Sequence, residues 1–356
     1  MKRNCLLAIL LFGTLAVSAQ DPHFSLYQSA SLMLNPATTG LFHSNFQHRL
    51  TANHRNQWGN FARQNVFQTI YAAYDTKICP SRNGERWGVG GTMVYDRSGS
   101  LPFERGYLNL SVSYTLLLDK NFLGDNDLYM AAGGEGGAIL YQVKEENFRF
   151  DEQFNGLEYD PGIPGERLDR SRSVMGDVGA GLMLFTAGTE VTNTSFTLGV
   201  SAKHLNKPEY RFFDNNNDVE ARLWFRTAFH AGATIEVKDS KAALAPKAIF
   251  LWQGPYQQLL AGFDWVMDFG ERNNPESLFN WMPGAAIRLS RGVVPDWRAD
   301  ALVLSMKANA SNLSVALAYD ISLSQIRSVT NHGALEVLLQ YHFKGKMKCP
   351  TPCPNY

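Results

Sequence analysis

The chain has 356 residues, with 33 Lys and Arg against 33 Asp and Glu, 45% apolar residues, 12% aromatic residues, 30 glycines and only 19% charged residues. A balanced charge removes the basic field that collects nucleic acid, so no nucleic-acid partner is expected, and the apolar content is too high for a disordered chain. After the N-terminus no apolar run reaches about 18 residues, which excludes a bundle of membrane-spanning helices, and although the length would ordinarily suggest two domains, large β-barrels exceed that rule.

The first element is an export signal over residues 1–19. Lys2 and Arg3 form a positive start, Leu6 to Val17 is an apolar run, and Val17-Ser18-Ala19 is a small-residue cleavage site, so the mature chain is expected to begin at Gln20. Cys5 leaves with the signal, and three of the four cysteines remain, too few for a disulfide scaffold. Residues 20–44 are read as a periplasmic or rim segment in which Asn35-Pro36 and Gly40 shape a turn at the barrel edge.

From residue 45 to 344 one device repeats: about ten residues of apolar/polar alternation, then a cluster of Gly, Pro, Asn, Asp or Ser, the signature of strands and turns. The segments fall near 46–56, 65–76, 86–96, 105–118, 127–142, 172–186, 194–205, 226–237, 243–252, 257–268, 281–291, 299–307, 311–320 and 333–344. In the first, Gln47, Arg49, Thr51, Asn53, Arg55 and Gln57 make a polar face, of which Arg55 and Gln57 are expected to line a lumen. In the fourth, Leu108, Leu110, Val112, Tyr114 and Leu116 make an apolar face against Asn109, Ser111, Ser113 and Thr115. Many segments reach the roughly nine to eleven residues that cross a bilayer at a tilt, and backbone groups in hydrocarbon must all be paired, so the sheet must close. The reading is all-β: a transmembrane antiparallel up-and-down β-barrel of about 14 strands behind a signal peptide, in contact with outer-membrane lipid.

With a periplasmic N-terminus the two longest connections, about 143–171 and 206–225, fall outside, and the turns near 77–85 and 119–126 fall inside. Trp58, Trp87, Tyr95, Tyr107, Tyr141, Trp252, Trp265 and Trp281 near segment ends are candidates for interfacial girdles. The glycine clusters at 88–91 and 133–137 lack dinucleotide-binding spacing and are read as relief where the wall bends. Asp214 to Asp218 carries calcium-type oxygen ligands but lacks the turn Gly and bidentate Glu of such a loop, and the eight histidines lack metal spacing. No phosphate loop, nucleophile elbow or zinc helix is present, so no cofactor, metal or catalytic residue is expected. Residues 345–356 form a periplasmic tail containing Cys349 and Cys353 in Cys-Pro-Thr-Pro-Cys.

Asp21-Pro22-His23-Phe24, Asn35-Pro36-Ala37-Thr38-Thr39-Gly40, Arg55-Asn56-Gln57-Trp58, Gly88-Val89-Gly90-Gly91, Tyr95-Asp96-Arg97-Ser98-Gly99, Ala318-Tyr319-Asp320-Ile321-Ser322 and Tyr341-His342-Phe343 together resemble the PorP/SprF family of Bacteroidota outer-membrane proteins, from one end of the chain to the other. The tail at Lys348-Cys349-Pro350 is also similar to the family's, although a second Cys-Pro follows it here. The resemblance implies a non-enzymatic component of the type IX secretion system that contacts periplasmic ring proteins. It would serve delivery or surface attachment of secreted cargo, including adhesins in gliding species. A periplasmic partner would then meet residues 20–44, the inner turns and the tail, and Cys79 falls on the same side as Cys349 and Cys353, so a disulfide among them is expected. An outer-membrane diffusion channel or transporter for small solutes is the alternative function.

Overall fold

The computed structural model describes residues 21–42, 46–57, 67–79, 85–98, 103–123, 126–144, 151–160, 162–163, 170–187, 194–212, 221–269, 279–293, 296–323 and 333–346. Fourteen strands follow one another: β1 (His48–Gln57), β2 (Phe67–Ile78), β3 (Arg86–Ser98), β4 (Phe103–Leu123), β5 (Asn126–Val143), β6 (Arg172–Ala187), β7 (Ser195–Lys203), β8 (Arg226–Glu236), β9 (Ala242–Gln253), β10 (Tyr256–Asp268), β11 (Phe279–Arg291), β12 (Arg298–Ala310), β13 (Leu313–Ser322) and β14 (Ala334–Phe343). Each pairs antiparallel with its chain neighbours, and β1 pairs with β14 from His48↔Phe343 to Gln57↔Ala334, which closes the barrel and leaves no edge. β1 begins and β14 finishes at one end, here the proximal end. The connections after odd-numbered strands, including the two longest, lie at the other, distal end. β4 runs on to Leu123, so the inner turn expected over 119–126 is mostly strand.

The alternation sets the faces in the sense the sequence predicts. Leu108, Leu110 and Val112 of β4 point outward with 60%, 71% and 46% exposure, while Asn109, Ser111 and Ser113 are buried inside. Likewise Leu335, Val337 and Leu339 of β14 face out, and Glu336 and Gln340 are wholly buried. Apolar residues outside and polar ones within are what lipid demands of a barrel wall. Trp87, Tyr95, Trp252, Trp265 and Trp281 are outward and exposed as girdle residues should be, and Trp58 lies outside the described residues. Tyr107 and Tyr141 differ: both point inward and are buried, because they fall on the lumen phase of their strands.

What they pack against is the principal departure from the sequence reading. Residues 21–42 do not sit at the rim. They pass down the lumen from the distal to the proximal end and fill it, with α1 (Ser31–Leu34) and a single 3-10 turn (Pro36–Thr38) midway. Asp21 meets the distal ends of β8 and β9, whereas Phe42 meets the proximal end of β2. Phe24, Ala30 and Leu32 join Tyr71, Tyr107 and Tyr141 in one buried cluster, and Leu26, Tyr27 and Leu34 join Ile249, Leu260 and Leu338 in another. The physical reason is that a sheet of 14 strands encloses more space than its own side chains can occupy, and water in that space would leave the apolar residues of the segment exposed.

The wall is cut to receive this plug. A Cβ on Gly88 would lie 2.0 Å from the Thr39 carbonyl oxygen, one on Gly133 2.5 Å from Pro36, and one on Gly181 1.9 Å from the Asn35 side chain. Gly88 and Gly133 of the two clusters, with Gly181, therefore admit the N-terminal segment, a role the sequence reading did not foresee. Leu110→Arg is expected to destabilise by roughly 2–4 kcal/mol near the bilayer midplane. Ser111→Arg, expected from sequence to cost less, now meets Thr39, whose hydroxyl bonds Ser111 Oγ at 2.9 Å. Proteolysis of residues 21–42 separates the two effects: Ser111→Arg should loosen the plug, and Leu110→Arg should impair insertion with the plug still protected.

Candidate functional site

The site is the plug and its three anchors in the wall. The distal mouth holds the first. The Asp21 backbone N–H donates to Gln253 Oε1 at 3.0 Å, while its carboxylate contacts His204 Nε2 at 2.7 Å and Arg226 at 3.4 Å. His204 Nδ1 is in turn 2.9 Å from Asp177. Burial opposes charge on both groups, yet the cations of His204 and Arg226 hold the Asp21 carboxyl well below the usual carboxylate range. Burial likewise works against the His204 cation, but Asp21 and Asp177 raise it to about 9.

The sign of the pH dependence follows. His204 binds its proton more tightly when folded, so its contribution is complete below about 6.5 and is lost as pH rises through about 9. Asp21 is depressed when folded, so its contribution is present above about 3.9 and is lost as pH falls below that. The distal end of the plug should therefore be held most firmly between these limits. Protease cleavage near residue 21 should rise from pH 7 to pH of about 10, and His204→Gln should flatten that rise.

The second anchor lies just inside. Glu336, fully buried, accepts the backbone N–H groups of Ser25 at 2.8 Å and Leu26 at 3.1 Å, the Asn53 amide at 2.8 Å and Arg55 at 3.2 Å. Asp320 accepts the Ser25 hydroxyl at 2.7 Å and is shared by Arg55 and Arg288, each at 2.7 Å. Gln57 accepts from Arg55 at 3.3 Å and steadies it. Strands β1, β11, β13 and β14 thus supply a buried cluster of Arg55, Arg288, Asp320 and Glu336, joined at Arg288 to Asp300 of β12 at 2.7 Å, and Ser25 and Leu26 of the plug bond into it. Period two and the β1–β14 register bring these groups to one point: Arg55 lies directly opposite Glu336.

The third anchor fixes the lower half. Asn35 caps the 3-10 turn by accepting the Ala37 N–H at 2.9 Å, and its amide donates to the Leu182 carbonyl at 3.1 Å and approaches His230 Nε2 at 3.1 Å. Pro36 opens that turn, where a missing N–H costs nothing. Gly40 adopts φ +73, which a side chain would strain, and its N–H donates to Asp75 at 2.7 Å. Asp75 is also clamped by Arg49, with both carboxylate oxygens bonded at 2.9 Å, and Lys77 donates to the Phe42 carbonyl at 3.1 Å.

Of the residues singled out from the sequence, Asp21, Phe24, Asn35, Gly40, Arg55, Gln57 and Asp320 converge on these anchors. Pro22 and Pro36 are buried in the plug, and Phe24 packs on Tyr71 with ring centroids 5.9 Å apart. Tyr319 stands apart on the lipid face at 42% exposure. Cys79 is disulfide-bonded; Cys5, Cys349 and Cys353 all lie outside the described residues, as do 213–220 with the calcium-like run. Sequence reading assigned no role to Asp75, Asp177, His204, Arg226, Arg288 or Glu336. Their only signal is a charge on the inward phase of a strand or at its distal end, and strand register is needed to say which of them meet. Among the described residues no group of three or more His, Cys, Asp and Glu could hold a metal.

The family model described as "Type IX secretion system membrane protein PorP/SprF" matches residues 16–341. No curated protein matches the chain. Among solved structures it is similar to BamA from Haemophilus ducreyi lacking POTRA domains 1-3, with 9% identity, TM-score 0.40, and coverage of 84% of this chain and 70% of that one. It is also similar to CdiB from Escherichia coli (8% identity, TM-score 0.41, 84% and 63% covered) and to the transport unit of the autotransporter AIDA-I from Escherichia coli (10% identity, TM-score 0.31, 92% and 100% covered).

Proposed function

The chain belongs to the PorP/SprF family of type IX secretion system membrane proteins and is an integral outer-membrane β-barrel, and from that premise we propose that it acts as a non-enzymatic scaffold for secretion. In this reading it joins periplasmic ring proteins of the system to secreted cargo, assisting delivery or surface attachment of that cargo, adhesins included in gliding species. The observation that carries the reading is a lumen filled by residues 21–42 and anchored by buried ion pairs. A barrel built for passive diffusion keeps its bore wet, and this one spends its inward polar residues on its own chain. The diffusion-channel alternative draws no support from that arrangement.

The orientation that fits is a proximal end toward the periplasm, with a leader removed after Ala19 and the distal loops outside. Ring proteins would then meet the proximal turns and the tail, since the interior position of residues 21–42 leaves little of them to touch. A disulfide from Cys79 to Cys349 or Cys353 would tie the tail to this end; β2 and β14 both finish there. Non-reducing peptide mapping should recover one of those two pairs, and a free Cys79 throughout would exclude it.

Affinity purification of the full-length protein from its own outer membrane tests the scaffold reading. Periplasmic secretion components should co-purify, and deletion of the gene should leave cargo inside the cell. Normal cargo delivery without the protein would refute the assignment.

A further inference from the structure

At the proximal end a cavity of about 130 Å³ remains between the plug and the walls of β7 to β14. Its plug side is Gln28 and Phe42; Phe46, just before β1, with Phe196 and Met282 of the wall, adds apolar surface. Lys307 of β12 stands on the lumen phase of its strand and reaches into this space. Nearby charges do not satisfy it. Asp264 gives both carboxylate oxygens to Lys247, at 2.7 and 2.6 Å, and Arg49 is engaged with Asp75. Among the described residues the Lys307 ammonium has neither a hydrogen bond nor an ion pair, and the Gln28 amide has no hydrogen bond. Among the described residues the cavity therefore carries one surplus positive charge, beside an idle amide, in an otherwise half-apolar chamber.

We propose that this cavity binds a carboxylate carried on a compact apolar body, with Lys307 as the counter-charge and Gln28 as a second donor. An ammonium in such a place is partly desolvated and has no counter-charge of its own among the described residues, so an anion that supplies one is favoured. A single negative charge fits, because one positive charge is unmatched among the described residues. A doubly charged phosphate would bring more charge than the chamber neutralises. The apolar rings require that the carboxylate be attached to hydrocarbon or an aromatic group, whether the end of a polypeptide or a short fatty acid.

Calorimetric titration of the full-length protein in maltoside detergent and carboxylate-free buffer, with matched probes, tests the site. One pair is N-acetyl-glycyl-phenylalanine and its C-terminal amide; the other is octanoate and octanol. At least one acid should bind saturably and at least about tenfold more tightly than its neutral partner, as a charge-assisted hydrogen bond implies. The pair that behaves so identifies the source of the carboxylate. Lys307→Met should abolish the difference and Lys307→Arg should retain it, with unfolding midpoints confirming that both variants are folded. Equal binding of acid and neutral forms, an unchanged preference in Lys307→Met, or no saturable binding of either acid up to about 10 mM would overturn the proposal.

Discussion

A chain lacking residues 21–42 is expected to fold as a barrel and to conduct ions in planar bilayers, where the full-length protein shows no resolvable channel steps. The wall does not need the plug to close, since all fourteen strand pairings are made between strands and none of them includes residue 42 or anything before it. The backbone ladder that closes the wall is therefore complete without the segment. The bore is another matter. Where the plug passes, the inward positions are largely small: Gly88, Ser111, Ser113, Ala131, Gly133, Gly181, Ser201 and Ala316. Barrels with a few more strands leave an aqueous channel when unfilled, and here the removal of over twenty residues would open a comparable path. Stable single-channel steps from the shortened chain, with none from the intact one, are the expected outcome. Conductance by the intact chain at the same level would mean that the plug does not seal, and would revive the solute-channel reading.

The second large effect is expected at Arg55. Arg55→Met strips Glu336 of its cation and leaves Asp320 with Arg288 alone, all inside a lumen where each of these groups is under 6% exposed. Removing one member of a buried hydrogen-bonded ion cluster typically costs about 3–5 kcal/mol, most of it from the charge left behind. The amides of Ser25 and Leu26, which end on Glu336, report it: their hydrogen-exchange protection should fall by roughly two to three powers of ten. Asp320→Leu should act similarly, and the double variant should cost less than the sum of the two, because the unpaired charges are then fewer. Strictly additive effects, or unchanged protection of Ser25, would show that the cluster does not hold the plug.

How far the sequence could be read differs sharply between wall and lumen. A period of two is a local property of ten residues, so β4 or β14 shows its lipid face without knowledge of its neighbours. That is why the strand positions follow from the chain alone to within a few residues. The plug leaves no such trace. Its one helical turn of four residues is too short for a periodic pattern, and a polar inward face such as Arg49 to Gln57 looks the same whether it meets water or another segment. Asn35-Pro36 and Gly40 do shape a turn, but nothing local distinguishes a rim from an interior. The one available clue was steric: glycines at 88, 133 and 181, on the inward phase of three strands, each lack a side chain where backbone or Asn35 now sits. The anchors are non-local by nature, since Ser25 and Glu336 are 311 residues apart.

The segment that enters at the distal mouth and leaves at the proximal one makes the molecule a bead strung on its own thread. Sealing the seam between first and last strands and seating the N-terminus are therefore two events that must occur in one order or the other. Either the hoop is drawn shut around a stretch already lying in the groove of the curling sheet, or a loose end is afterwards pushed up the bore. The first route asks the Arg55 cluster, which straddles that very seam, to gather before the hoop locks, so that the residues securing the stopper would also judge when assembly is complete.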